Sequence, residues 1–220
     1  MTATGSETLD FVRDRVVHVV GHELRTPITT IRGLAELFTT ATDEEIRETL
    51  VPALLRNARR AERLLDDLLL AAEVKTVRPT EAPAVIDLAE VATEVVSGTD
   101  IRVEGWPDGR VLGHRESVVR AIGYLVDNAR SYNDGDPSLR FESDEDTLTV
   151  LVLTPVSQEI ADLELGFELF FRGEVAVTRA PGLGVGLAAA KALAQLDGGD
   201  VTIGQREGHV ETRLRLPRAR

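Results

Sequence analysis

His22, Glu23 and Thr26 fall within one turn of each other in the stretch VVGHELRTPITTIRGLAEL, Val19 to Leu37. An imidazole is a nitrogen nucleophile near neutral pH. A carboxylate beside it can fix its tautomer and stabilise the charge that develops during attack. Thr26 adds a hydroxyl one turn further along the same helix face. Pro27 removes an amide donor and presses on the carbonyl of Glu23, so a bend is expected beside the histidine. Alone, His22 would read as a solvated surface histidine. In this company it is a candidate phosphoryl acceptor.

A second group of chemically capable residues lies far downstream. GLGVGL, residues 182–187, places Gly182, Gly184 and Gly186 before AAAKALAQLDGG. Glycines let a backbone approach phosphates, and the helix that follows aims unpaired amides and a positive dipole end at an anion. Upstream, AIGYLVDNARSY, Ala121 to Tyr132, carries Asn128 on an amphipathic helix. In GFELFFRG, residues 166–173, Phe167 and Phe170 suit core packing as well as a site.

The elements that position these groups fall into two halves. Helical spacing runs from about Ser6 to Phe38, with a seam at Val17, Val20, Leu24, Pro27, Ile31, Leu34 and Phe38. After TTATDEE, with Asp43 as expected N-cap, it resumes from Glu44 to about Val74 at Val51, Leu54, Ala58, Ala61, Leu65, Leu68 and Ala72. Two such helices cannot bury their stripes and the extra leucines Leu55, Leu64 and Leu69 alone, which predicts a dimeric four-helix bundle. KTVRPTEAP, Lys75 to Pro83, reads as a linker.

Beyond the linker the pattern is mixed. It predicts an apolar start and short helix over Val85–Val96, strands near 100–104 and 110–112, and a helix from Arg115 to Ser131. Strands at 138–142 and 147–153, a glycine-opened helix, and strands at 200–204 and 209–216 follow. The expected fold is α+β: a helical hairpin over residues 1–78, then an α/β sandwich over 84–220.

Composition narrows the function classes. A net charge of -12, with cationic and acidic residues interspersed, argues against nucleic-acid binding. With no cysteine and four scattered histidines there is no thiolate or zinc cluster. No apolar run reaches the roughly 18–20 residues of a membrane span, so the chain reads as cytoplasmic.

HELRTP on paired helices resembles the dimerisation and histidine-phosphotransfer domain of two-component sensor histidine kinases. AIGYLVDNARSY, GFELFFRG and GLGVGL resemble that family's asparagine, phenylalanine and second glycine boxes. The resemblance implies a Bergerat-type ATP-binding domain, ATP and Mg2+ as cofactors, a homodimer, and a response regulator as partner. It implies that His22 accepts the phosphoryl group, Glu23 assists, and Thr26 helps position water for regulator dephosphorylation. Asn128 falls on the magnesium-binding amide. Arg130, Tyr132, Arg172, Gly182, Gly184, Gly186 and Leu187 fall on the nucleotide site.

There are departures. Tyr124 replaces an earlier asparagine and Ser131 a frequent phosphate-binding lysine. The first glycine box is degenerate: at the end of TLTVLVL stands TPVSQEI, and Leu153 or Thr154 occupies the place of the adenine-binding aspartate. A neutral hydroxyl in place of a charge-assisted bond costs on the order of 1–2 kcal/mol. An alternative therefore stays open, a phosphotransfer or regulatory protein with a vestigial nucleotide domain. Residues before position 6 leave no room for a sensor, so either the chain is a fragment or a separate sensor protein supplies the signal.

Overall fold

The computed structural model describes residues 5–73, 82–107, 109–173 and 183–219, with side chains in the first helix from Val20 onward. The chain divides after Leu70 into a helical unit and an α/β unit.

In the helical unit, α1 spans Gly5–Leu37, α2 Asp43–Glu45 and α3 Val51–Glu73, with a π-helical turn at Ile46–Leu50. Pro27 lies inside α1 without ending it, and is buried. The N-cap of α2 is Thr42, not Asp43. Thr42 accepts the Glu45 amide at 3.3 Å while Glu45 accepts the Thr42 amide at 2.9 Å, a reciprocal capping box. The π turn precedes Pro52: Val51 N–H reaches back to the carbonyl of Ile46. Pro52 has no amide for the carbonyl four residues before it, and a widened turn relieves the ring's crowding there.

The α3 stripe differs from the spacing reading. Val51, Leu65 and Ala72, placed on the seam, are exposed, whereas Leu50 and Leu64 are buried. The helix is apolar over an arc wide enough for two overlapping stripes, which share Leu54, Ala61 and Leu68. Leu55, Leu65 and Leu69 remain 47–54% exposed, as does Ile28 at 56% on α1.

In the α/β unit, β1 (Ala84–Asp87), β2 (Arg102–Glu104), β3 (Arg110–Gly113), β4 (Ser138–Ser143), β5 (Thr147–Pro155), β6 (Asp200–Arg206) and β7 (His209–Pro217) form two sheets. The larger has the order β2-β4-β5-β7-β6, antiparallel except for β2 with β4; β1 pairs with β3. Three helices, α4 (Leu88–Val96), α5 (Arg115–Tyr132) and α6 (Gly186–Leu196), share its core. Val118, Ile122 and Leu125 of α5 pack with Leu148, Val150 and Val152 of β5 and with Leu214 and Leu216 of β7. Residues 84–87, expected as the approach to a helix, are a strand, and Asp87 caps α4 by accepting the amide of Ala89 at 2.9 Å.

Two contacts anchor the far end of this layer. His114, N-cap of α5, donates its backbone amide to Asp197 at 3.1 Å and shares its ring Nδ1 with the same carboxylate at 2.5 Å. The side chain of Asp197, at the end of α6, is 1% exposed. A Cβ on Gly113 would lie 2.7 Å from its oxygen, so only glycine admits this approach.

Candidate functional site

The helix periodicity places His22 on the polar face of α1, and its side chain is 77% exposed. Nδ1 stands 3.8 Å from Oε1 of Glu23, an ionic-range contact. Oε2 of Glu23 accepts Nη2–H of Arg60 on α3 at 2.9 Å. Thr26 donates its hydroxyl to the carbonyl of His22 at 3.3 Å, and Thr30 donates to the carbonyl of Thr26. The latter pair turns hydroxyls back on the helix beside Pro27, where the carbonyl of Glu23 lacks a proline amide to accept. Histidine and threonine thus share an exposed face, with the half-buried carboxylate beside the ring. Arg60 escapes a motif reading. It could be found by hairpin arithmetic, because Glu23 and Arg60 lie nearly equal distances from the turn at residues 38–42.

Most of the other candidate residues lie on α5, about the start of α6 or in the segment 166–172. Tyr124 sits against the first turn of α6: a Cβ on Gly186 would lie 3.9 Å from Tyr124 Cβ and Cδ1. Val185, the N-cap of α6, makes no side-chain cap bond, and among the described residues the first-turn amides have no such cap. Asn128 and Tyr132 are half-buried on the same helix as Tyr124, and the Asn128 amide makes no hydrogen bond among the described residues. Arg120 Nη2 reaches the Tyr124 hydroxyl at 3.5 Å.

Gly184 has φ 74°, and a Cβ there would lie 2.3 Å from the carbonyl oxygen of Phe171. Phe170 N–H donates to the carbonyl of Gly184 at 3.1 Å, so the segment bearing the half-buried Arg172 is stitched to the approach of α6. Leu187 is half-buried against the core and crowds Gly166. Phe167 packs on the core too, with Lys191 Nζ 4.3 Å from its ring centroid. Gly182 lies outside the described residues. Arg130 is engaged elsewhere, since its Nε donates to Asp100 at 2.9 Å, and that bond holds the Asp100 carboxyl below its ordinary range.

At the end of β5 stand the two residues that the sequence left as alternatives. Thr154 pairs with Val210 and shares the pleat parity of Val150 and Val152, so it faces the helix layer while Leu153 faces away. The chain that follows is tied down from several directions. Val156 N–H donates to the carbonyl of Gly208 at 2.8 Å, and Asp134 accepts both the amide and the hydroxyl of Ser157, at 2.7 and 2.6 Å. The Gln205 amide accepts from Ile160 N–H and donates to the carbonyl of Gln158, both at 2.8 Å. A cleft of about 360 Å³ opens between α4 and α5; it includes Tyr124 and Asp127 but neither Asn128 nor Gly186. Among the described residues, no group of three or more His, Cys, Asp or Glu could hold a metal.

Comparison with known proteins adds independent findings. Residues 12–76 match the His Kinase A (phospho-acceptor) domain. The probable sensor histidine kinase TcrY of Mycobacterium tuberculosis is 31% identical over 213 residues, covering 89% of this chain and 44% of the relative. The sensor protein CreC of Escherichia coli is 31% identical over 229 residues, covering 93% and 45%. The chain thus spans less than half the length of these two relatives. Among solved structures, histidine kinase ThkA in complex with response regulator protein TrrA has a TM-score of 0.75 at 22% identity, covering 97% of this chain and 64% of that one. The Acinetobacter baumannii histidine kinase AdeS has a TM-score of 0.67 at 19% identity, covering 90% and 98%. The fold is that of these structures.

Proposed function

From a chain with the make-up of a two-component sensor histidine kinase catalytic core, we propose that it transfers the terminal phosphoryl group of ATP to His22 and passes it to an aspartate of a response regulator. One observation carries this reading: the His22 ring is 77% exposed, with a carboxylate 3.8 Å from its Nδ1. A proton on Nδ1, facing Glu23, leaves the Nε2 lone pair pointing outward. In-line attack by Nε2 forms an N–P bond as the bond from phosphorus to the bridging oxygen breaks, and ADP leaves with that electron pair. Regulator dephosphorylation would draw on the Thr26 hydroxyl on the same face.

The phosphate end of the nucleotide site fits the residues present. The first-turn amides of α6 are the donors that would hold phosphates, and the side-chain oxygen of Asn128, without a hydrogen bond among the described residues, would ligate magnesium. Magnesium supplies charge neutralisation on the phosphates when bound. Tyr132, Gly184, Gly186 and Leu187 would border the nucleotide, with Arg172 behind them; Arg130 serves only by releasing Asp100. At the base end, Thr154 offers a neutral hydroxyl, so ATP is held weakly. The exposed Leu55, Leu65 and Leu69 suit pairing with a second copy as a four-helix bundle. No helix among the described residues is long and apolar enough to cross a membrane.

A second reading, relay through His22 without ATP, is favoured by Thr154 and the tied segment after it. Purified protein incubated with γ-labelled ATP and magnesium, beside His22→Gln, decides between them. Label on the unsubstituted chain alone supports the kinase. No label, with a phosphorylated regulator donating back to His22, supports the relay.

A further inference from the structure

Glu23 divides its carboxylate between two neighbours. Oε2 accepts from Arg60 at 2.9 Å, and Oε1 is left facing His22 Nδ1 at 3.8 Å. The arginine comes from the other helix of the hairpin, 37 residues along the chain, so this bond ties the polar face of α1 to α3. Side-chain exposures of 23% and 35% shield the pair more than an open surface pair.

The way Arg60 approaches matters more than its charge. A guanidinium usually engages a carboxylate as a fork, through two parallel N–H bonds that occupy both oxygens. Here the contact is through Nη2, and Arg60 Nε is buried with no hydrogen-bond partner among the described residues. The end-on contact costs the arginine one satisfied donor, and it leaves Oε1 available to the histidine. An untethered glutamate on an exposed helix face would sample several rotamers, most of them turned away from the ring.

We infer that Arg60 is the positioning residue of the phospho-acceptor: it holds Glu23 so that the free oxygen keeps the His22 proton on Nδ1 and the lone pair on Nε2. The inference rests on the reading of His22 as acceptor. During transfer the Nε2 lone pair forms the N–P bond, the P–O bond to the leaving nucleotide breaks, and the proton stays on Nδ1, facing Glu23. Partners at this remove from metal-ligating imidazoles typically change affinity or activity by about 10–100-fold, and the lower end of that scale is the effect expected here.

The test is nitrogen NMR of the full chain labelled at histidine, with His22→Gln identifying the signals, alongside the initial rate of label uptake. Arg60→Met and Arg60→Gln should both move His22 from the Nδ1–H towards the Nε2–H tautomer, as Glu23→Gln does. Combining Arg60→Met with Glu23→Gln should move it no further. Uptake should fall about tenfold, and Arg60→Lys, which retains an end-on cation, should restore part of both. An unchanged tautomer ratio in Arg60→Met and Arg60→Gln overturns the inference, whatever happens to the rate. Absence of uptake in the unsubstituted chain would instead count against the kinase reading, and the tautomer measurement would still judge Arg60.

Discussion

In the hairpin, His22, Glu23 and Thr26 come from a single turn of α1, whereas Asn128, Thr154, Arg172 and Gly186 of the α/β unit come from four separate stretches of chain. The first constellation needs only a helix and one brace from α3. The second exists only while a sheet, three helices and the loops between them hold their packing. The burial pattern follows the same division. The α/β unit encloses Ile122, Val150 and Leu214 completely, while the hairpin leaves Leu55, Leu65 and Leu69 in water. Chemistry written in one turn depends on few other residues, and chemistry assembled from distant segments depends on all of them.

That contrast can be broken by truncation. Ile122→Ala, at a site with no exposure, should cost about 2–5 kcal/mol in urea unfolding. Leu65→Ala, 51% exposed, should cost no more than about 0.5 kcal/mol at protein concentrations dilute enough to keep the chain monomeric. Comparable losses would show the hairpin stripe to be core rather than interface. A smaller effect sharpens the picture at the far end of α5 and α6. Asp197→Asn leaves the His114 ring and amide facing a weaker acceptor at a site 1% exposed. It should lower the α/β transition by about 1–3 kcal/mol while leaving the far-ultraviolet melting of the hairpin in place. Equal shifts in both transitions would mean that the units unfold as one.

In the hairpin itself, Thr42→Ala removes half of the capping box and should cost about 1 kcal/mol. Amide exchange of residues 43–50 should quicken, with the amides of β5 and β7 unaffected. Faster exchange in β5 would deny that the cap acts locally.

These particulars show where sequence reading reaches and where it stops. Most helices, most strand positions and the glycine-opened α6 were legible because each rests on periodicity or on residues a few positions apart; the order of strands in the sheet was not. The α3 stripe was misread at Val51 and Leu65 because an arc of leucines and alanines satisfies two phases at once. The widened turn before Pro52 belongs to backbone geometry that side-chain spacing does not encode. Leu153 and Thr154 could not be told apart across a gap in the motif, and pleat parity shows that they face opposite ways. Arg60, Asp134 and Gln205 act on segments 23 to 47 residues away, beyond the range of any local motif.

The smallest effect concerns the turn between β4 and β5, on the α/β side of the comparison. Asp144 accepts the amides of Asp146 and Thr147 at 2.9 and 2.7 Å and the Thr147 hydroxyl at 2.7 Å. The hydroxyl bond is the leading cause of a carboxyl held below its ordinary value, followed by the two amides. A carboxyl lowered on folding adds stability above its unfolded-state titration, and that contribution fades as the pH drops through the lowered folded value. Asp144→Asn should therefore be slightly less stable than the unsubstituted chain at pH 7, with the gap narrowing below about pH 4. Urea midpoints of the α/β transition at pH 7 and pH 3 measure this directly. The side chain is fully exposed, so the turn needs the charge for its local geometry and the buried core does not feel it. A gap that widened on acidification would reverse the sign of the linkage and place the stabilising interaction on the protonated form.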